Sequence, residues 1–324
     1  MTATFKAAVI REAGPAEVLK IEQLPIPKPK AGQVLIRIKA FGLNRSELFT
    51  RQGHSPGVHF PRVLGIECVG LVEEAPGNEF SKGQTVATAM GGIGRQFDGG
   101  YAEFTCAPAS QVQVIETTLD WAVLGAIPEM LQTAYGSLFT SLQLKKGDRL
   151  LIRGGTTSVG LAAAAIAKNN GNYVAATTRK AASEKLVLAS GADKVFIDDG
   201  SIAGQVKEGK AFNKVLELVG TTTLLDSLQC IKPGGLCCMT GMVGNKWGLD
   251  NFSPMDSIPT AVGLTSYSGG SEDFMATPLN ELAKQVAAGT LHVQIGKTFK
   301  LDEIAEAHRC MEENRAGGKI VVLT

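Results

Sequence analysis

The stretch RLLIRGGTTSVGLAAAAIA, residues 149–167, constrains the fold more than any other part of the chain. RLLIR is an apolar run of strand length, GGTTSVG punctuates it, and LAAAAIA opens a helix. Strand, glycine turn and helix in that order are what a dinucleotide fold requires. The frame falls on Gly155, Thr157 and Gly160. Gly155 is expected to make the tight turn, and Gly160 to let the helix pack close to the strand. Thr157 stands where a middle glycine usually admits the pyrophosphate. The helix N-terminus over Ser158 and Val159 still offers free N–H groups and a favourable dipole to phosphate. Thr156, Thr157 and Ser158 add hydroxyl donors. Ordinary strand-to-helix turns carry similar glycines, so the flanking units decide.

Those units alternate. NYVAATT reads as a strand, ASEKLVLASGA as a helix, KVFID and FNKVLELVG as strands, TTLLDSLQCIKPGG as helical and LCCMTGM as a strand. The alternation predicts right-handed βαβ units on a parallel sheet over residues 121–265, opened by the helical AIPEMLQTAYGSLFTSLQL. Residues 1–120 are different. FKAAVI, QVLIRIKAFGL, CVGLVEEA and QTVATA are short strand-like runs separated by Pro and Gly clusters, which suggests a small barrel-like unit. The tail holds the helices PLNELAKQVAAGT and DEIAEAHRCMEENRAG, then the strand KIVVLT. Residues 266–324 are too short for a domain and are expected to complete the first unit, making it discontinuous.

Charge excludes some functions. With 32 Lys and Arg against 31 Asp and Glu, nothing favours nucleic acid or an anionic membrane surface. The N-terminus has no apolar core of signal-peptide length, and VGLAAAAIA is too short to span a bilayer. The six cysteines form no CxxC pair, so reduced thiols in a cytoplasmic protein are the expectation.

The second strand of the dinucleotide unit selects the cofactor. An NAD enzyme usually ends it with a carboxylate that accepts from the ribose 2′-hydroxyl. Here it ends Thr177, Thr178, Arg179, Lys180, with Ser183 following. No carboxylate repels a 2′-phosphate, and Arg179 can pair with one bidentately. NADPH is therefore expected over NADH; the alternative is that Arg179 and Lys180 belong to a solvated loop.

GLNRSELFTRQG, FPRVLGIECVG, GGYAEF, LQTAYGSL, GGTTSVGLAAAAIA, LASGAD, IKPGG and EAHRCMEENRAGGKIVVLT follow one another in an order that resembles the medium-chain dehydrogenase/reductase superfamily. Within it the chain is most similar to the zinc-independent quinone oxidoreductase branch, over nearly its whole length. The resemblance implies an α/β protein with a discontinuous GroES-like β-rich catalytic domain (1–120 and 266–324) around a doubly wound Rossmann domain (121–265). In zinc members of that superfamily a Cys, a His and a second Cys hold the metal; the matching places here are Asn44, Ile66 and Glu129. An alkyl side chain cannot ligate, and the structural-zinc cysteine lobe has no counterpart, so a metal-free protein is expected.

Without a Lewis acid, hydride addition to a simple ketone leaves a localised charge unsupported. A quinone or an α,β-unsaturated carbonyl gives a delocalised phenolate or enolate, for which a few hydrogen-bond donors suffice. The resemblance implies Asn44 and Thr133 near the nicotinamide. It also implies a cofactor pocket closed by Gly241, Met242, Leu264, Ser266, Arg315 and Lys319, and a homodimer joined along the strand near TAVGLTSYSG. Phe49 stands where many relatives carry a tyrosine, leaving His54 and Glu129 as other proton-handling candidates. Two alternatives remain: an enoyl-thioester reductase, weakened by the lack of a tyrosine after the QG at 52–53, and a non-catalytic NADPH-binding protein of the lens-crystallin kind.

Overall fold

A computed structural model describes residues 3–206 and 212–324 of the chain. Its elements, in chain order, begin with β1 (Thr4–Ile10), β2 (Lys20–Pro25), β3 (Gln33–Gly42), α1 (Arg45–Arg51), β4 (Arg62–Val63), β5 (Glu67–Glu74), β6 (Thr85–Ala89), β7 (Phe104–Pro108), β8 (Val112–Val114), α2 (Trp121–Ala126) and α3 (Pro128–Tyr135). Then come β9 (Arg149–Arg153), α4 (Ser158–Asn169), β10 (Tyr173–Thr178), α5 (Glu184–Ala189), β11 (Lys194–Ile197), β12 (Phe212–Glu217), α6 (Thr221–Gln229), β13 (Ile231–Met239), α7 (Pro254–Ser257) and β14 (Gly263–Ser266). The chain ends with α8 (Ser271–Ala276), α9 (Leu279–Ala287), β15 (Ile295–Lys300), α10 (Ile304–Glu312) and β16 (Lys319–Leu323).

Two units emerge. The first comprises Met1–Gln132, Gly269–Ala288 and Ile295–Thr324; the second comprises Thr133–Ser268 and Gly289–Gln294. The split differs from the sequence-based one at three places, the smallest being residues 266–268, which go with the second unit. Helix α2 goes with the first unit because Gly125 packs directly on it: a Cβ there would lie 2.6 Å from Ala40 Cβ of β3 and 3.0 Å from Val321 Cγ1 of β16. Residues 289–294 go with the second, where Asn169 Nδ2 donates to the Thr290 carbonyl at 2.8 Å.

The first unit is β-rich. Seven strands run β15-β16-β3-β5-β6-β8 with β7 also on β3, and a smaller sheet runs β2-β1-β4. One apolar core, including Ile10, Ile36, Ile38, Phe41, Leu64 and Val322, sits between them. It draws on both the first residues and the tail, because β16 pairs antiparallel with β3.

The second unit is one six-stranded sheet in the order β11-β10-β9-β12-β13-β14, with every pairing parallel. Numbered within the unit, that order is 3-2-1-4-5-6, the Rossmann arrangement. Its central strands are apolar runs because helices cover both faces of such a sheet. The helical run expected over 126–144 is broken instead. Pro128, with no N–H to donate, opens α3, and residues Gly136–Ser141 form a π-helical turn. Strand β13 begins at Ile231, earlier than its apolar LCCM stretch, with a register shift against β12.

All six cysteines are free thiols. Among the described residues no helix is long and apolar enough to cross a membrane.

Candidate functional site

In the second unit, β9 runs into a glycine loop and then into α4. The left-handed residue is Gly154, with φ +86°, so it, and not Gly155, makes the tight turn. Gly155 instead seats the loop on β10. Its N–H donates to the Thr177 carbonyl at 2.9 Å, and a Cβ would lie 2.8 Å from Ala176 Cβ. Gly160 does bring helix and loop together, since a Cβ there would lie 2.6 Å from the Gly154 carbonyl oxygen.

Thr157 is the N-cap of α4. Its hydroxyl accepts from Gly160 N at 3.0 Å and donates to the Gly154 carbonyl at 2.9 Å. The threonine in the middle of the glycine frame thus braces the turn, and its hydroxyl is engaged within the loop rather than offered to a phosphate. The N–H groups of Thr156, Ser158 and Val159 have no acceptor among the described residues. They stand at the positive end of a twelve-residue helix, which is what a pyrophosphate needs. The residues present therefore fit a dinucleotide phosphate.

At the end of β10, Thr178 is buried and its hydroxyl bonds the Lys180 backbone at 3.2 Å. Arg179 and Lys180 are exposed, and Ser183 is the half-buried N-cap of α5. Neither cation has a carboxylate partner among the described residues. Further along, Gly241 N donates to the Glu217 carbonyl at 3.1 Å, which lays the turn after β13 against β12. Met242 is half-buried, its sulfur close to Gly220. Leu264 and Ser266 lie exposed on β14, and the Ser266 carbonyl accepts from Ser141 Oγ. Thr133 is half-buried in α3.

The first unit holds the other candidates, in an arrangement that no local sequence pattern specifies. Asn44, 8% exposed, is the N-cap of α1. Its amide Nδ2 donates to Glu67 Oε1 at 2.9 Å and to Glu47 Oε1 at 3.3 Å, and its Oδ1 accepts from Lys319 Nζ at 2.5 Å. The reverse flip would set an NH2 against an ammonium, so the charges fix the orientation. Both amide hydrogens are engaged here, so Asn44 is placed as a member of a buried ionic cluster and not as a free donor.

Lys319 is the centre of that cluster. It is 3% exposed, with Nζ 2.9 Å from Glu67 Oε1 and 3.5 Å from Glu129 Oε2. Burial works to lower its pKa, but Glu67 and Glu129 outweigh burial and the net shift is upward. Glu67 also accepts from Glu129 N at 2.8 Å. Room for the lysine comes from Gly42: any Cβ there would collide with Glu67 Oε1 and Lys319 Cε. Three acceptors hold Lys319 inside the first unit. Arg315 is exposed but ion-paired to Glu306 at 3.0 Å and to Glu313.

Glu47 completes the cluster. It accepts from Asn44 N at 2.6 Å, the return half of a capping box, and from Ile66 N at 3.0 Å. Burial pushes its pKa up to about 8, partly offset by the Ile66 N–H and reinforced by Glu67. Glu47 thus keeps a proton in the fold that it loses near 4.5 when unfolded. Its contribution to stability is full below about 4.5 and is lost as pH rises through about 8. Carboxyl-carbon NMR on glutamate-labelled protein should show one resonance titrating near 8; if every glutamate titrates below about 6, the cluster has another charge balance.

Asn44 is bonded to an ammonium, Ile66 is buried and alkyl, and among the described residues no three His, Cys, Asp or Glu side chains are grouped to hold a metal. Phe49 is buried, whereas His54 is exposed in the loop after α1. Sequence reasoning missed Glu47, although Asn44-x-x-Glu47 has the spacing of a capping box.

Comparison with known proteins adds to this geometry. A family model described as Alcohol dehydrogenase GroES-like domain matches residues 30–117, and one described as Zinc-binding dehydrogenase matches residues 190–322. The chain is 30% identical to the quinone oxidoreductase of Pongo abelii over 331 residues, 98% of each chain. It is 27% identical to a 2-haloacrylate reductase of a Burkholderia species, covering 98% of both. Among solved structures, a mycobacterial protein in complex with NADPH superposes with a TM-score of 0.87 at 27% identity, covering 99% of this chain and all of the other.

Proposed function

The chain belongs to the quinone oxidoreductase branch of the medium-chain dehydrogenase/reductase superfamily, and from that premise we propose that it uses NADPH to reduce a quinone or an α,β-unsaturated carbonyl without a metal ion. It is an oxidoreductase of the quinone reductase type. What supports the substrate class is the chemistry at two places where zinc members carry ligands: Ile66 is a buried alkyl side chain, and the Asn44 amide is tied to Glu67, Glu47 and Lys319. With no Lewis acid held there, acceptors whose reduced form spreads its own charge are favoured. The bound cofactor supplies the hydride. The chain supplies the phosphate-binding N–H groups of Thr156, Ser158 and Val159 and the 2′-phosphate partners Arg179 and Lys180. With both Asn44 amide hydrogens engaged, Thr133 is the proposed donor to the acceptor oxygen.

The test is NADPH oxidation by 1,2-naphthoquinone and 9,10-phenanthrenequinone in metal-free buffer, with and without a chelator. Turnover unaffected by chelation is expected. Turnover that disappears on chelation would overturn the metal-free reading. Binding of NADPH with no turnover of quinone, enone or crotonyl-CoA would favour the non-catalytic alternative, and turnover of crotonyl-CoA alone would favour the enoyl-thioester one.

Arg179→Ala is expected to raise the NADPH Kd about tenfold, the worth of one charge-assisted contact, with little change for NADH. Titration of nicotinamide fluorescence with each cofactor checks this; an unchanged NADPH-to-NADH ratio would remove Arg179 from the account. Cytoplasmic residence and a homodimer joined along β14, the edge strand of the second unit, are part of the same proposal.

A further inference from the structure

We propose that Arg153 and Glu217 are positioning residues for NADPH, fixing the backbone of the turns that flank the cofactor crevice from beneath the sheet's carboxyl edge. The proposal rests on the reading that the glycine loop after β9 holds NADPH. Arg153 ends β9, Glu217 ends β12, and the two are register partners across the β9–β12 pairing. In a sheet of this order, strands 1 and 4 are where the connections diverge to opposite sides, and ligands bind outside their carboxyl ends. Both side chains are completely buried. They act on a ligand only through what they hold.

What they hold is extensive. Arg153 grips Asp198 bidentately, Nε to Oδ2 at 2.5 Å and Nη2 to Oδ1 at 2.9 Å, and sends Nη1 to Asp226 Oδ2 at 2.5 Å and Ser227 Oγ at 3.3 Å. The Thr177 hydroxyl, one of the groups that help hold Asp198 low, accepts from Gly154 N at 3.0 Å. The path from Arg153 thus returns to the glycine that turns the phosphate loop. Asp226 gathers the N–H groups of Ile202 and Ala203 at 2.8 and 3.2 Å. On the other side Ser227 Oγ lies 2.5 Å from Glu217 Oε2, and Glu217 Oε1 accepts from Val219 N at 2.8 Å and Gly220 N at 3.0 Å. Gly220, at φ +107°, is the left-handed residue of that second turn.

The charges are arranged for this role. Burial works to raise Asp198 and Asp226, yet Arg153 and backbone N–H groups hold both carboxyls low and ionised. Burial raises Glu217 despite its hydrogen bonds, so it is the member that most readily holds a proton. A fully buried guanidinium with carboxylate partners is a poor source of stability compared with apolar packing of the same volume. At a ligand crevice, its return is a fixed backbone geometry.

The experiment uses the full chain. NADPH affinity is measured by nicotinamide fluorescence, and the Michaelis constants for NADPH and naphthoquinone by steady-state rates, for wild type, Glu217→Ala, Ser227→Ala and Glu217→Gln. The two alanine variants are expected to raise the NADPH Kd about tenfold each while the quinone KM stays put. Glu217→Gln should recover most of the loss, because an amide oxygen still accepts from Val219 and Gly220. Ser227→Ala removes one hydroxyl and tests the proposal even if Glu217→Ala does not fold. Folded alanine variants that bind NADPH within about twofold of wild type would overturn the proposal, as would a glutamine variant as weak as the alanine. A wild type that fails to bind NADPH would overturn the cofactor reading itself, a separate and visible outcome.

Discussion

Gly160→Val is expected to raise the NADPH Kd at least about 100-fold, the largest effect on binding that one methyl-bearing side chain should have in this protein. The atoms that a Cβ would meet are not movable side-chain ends. They are the Gly154 carbonyl oxygen at 2.6 Å and the Gly155 Cα at 3.1 Å, with the Thr157 hydroxyl at 2.9 Å. To admit valine, the first turn of α4 has to retreat from β9. That retreat breaks the Thr157–Gly160 cap and misaligns the N–H groups of Ser158 and Val159. Their value to a phosphate lies in pointing together along the helix axis, so the loss exceeds that of a single hydrogen bond. Gly204→Ala is the control, since among the described residues nothing lies within 4 Å of its Cβ position. Isothermal titration of both variants against wild type, with circular dichroism for the fold, checks the result. A Gly160→Val protein that binds NADPH within tenfold of wild type would show that the phosphate does not sit on this loop.

Lys319→Met is expected to have the largest effect on stability, about 3–5 kcal/mol at neutral pH. The methionine chain fills similar volume, so the loss reports the ammonium. Without it, Glu67 is left fully buried with no cation, and Glu129 and Glu47 lie nearby. The variant's carboxyls would take up protons, which gives the loss a pH signature. Lys319 has a raised folded pKa, so its contribution is complete below 10.5 and is lost only as pH rises beyond that. The unpaired carboxyls of the variant would also have raised folded pKa values, and they destabilise it as pH climbs above about 4.5. The gap between variant and wild type should therefore be wide at pH 7 and narrow at pH 4.5. Urea unfolding at both pH values measures it. A gap below about 1 kcal/mol at pH 7 would mean that the cluster is hydrated and its charges screened.

The Rossmann unit was legible because buried parallel strands are apolar runs and its turns are marked by glycine. RLLIR, NYVAATT and KVFID each became a strand in the expected order. The less legible elements of the first unit are half-exposed ones. KIEQLP of β2 and VQV of β8 bury too few residues to stand out from loop. The phosphate loop was legible as a whole but not in its division of labour: only the backbone shows that Gly154 turns while Gly155 packs. Asn44 was located by its neighbours in sequence, yet its chemistry is set by Glu67 and Lys319, which lie far along the chain. Arg153 was hidden for a related reason. A charged residue ending a short strand reads as the strand reaching solvent, and nothing local says that Asp198 and Asp226 close over it.

The vacancy at Gly42 ties two distant positions together. The β3 backbone can pass the lysine only because that residue has no side chain, and the lysine can reach Glu67 only along that backbone. Evolution should therefore read residues 42 and 319 as one heritable unit. A lineage that shortens the side chain at 319 clears only one obstacle at residue 42, because Glu67 Oε1 and, at 2.9 Å, the Gly125 carbonyl would still meet a Cβ. A lineage that first gains a side chain at 42 must displace its internal cation, and with it the reason for keeping Glu47 and Glu67 out of water.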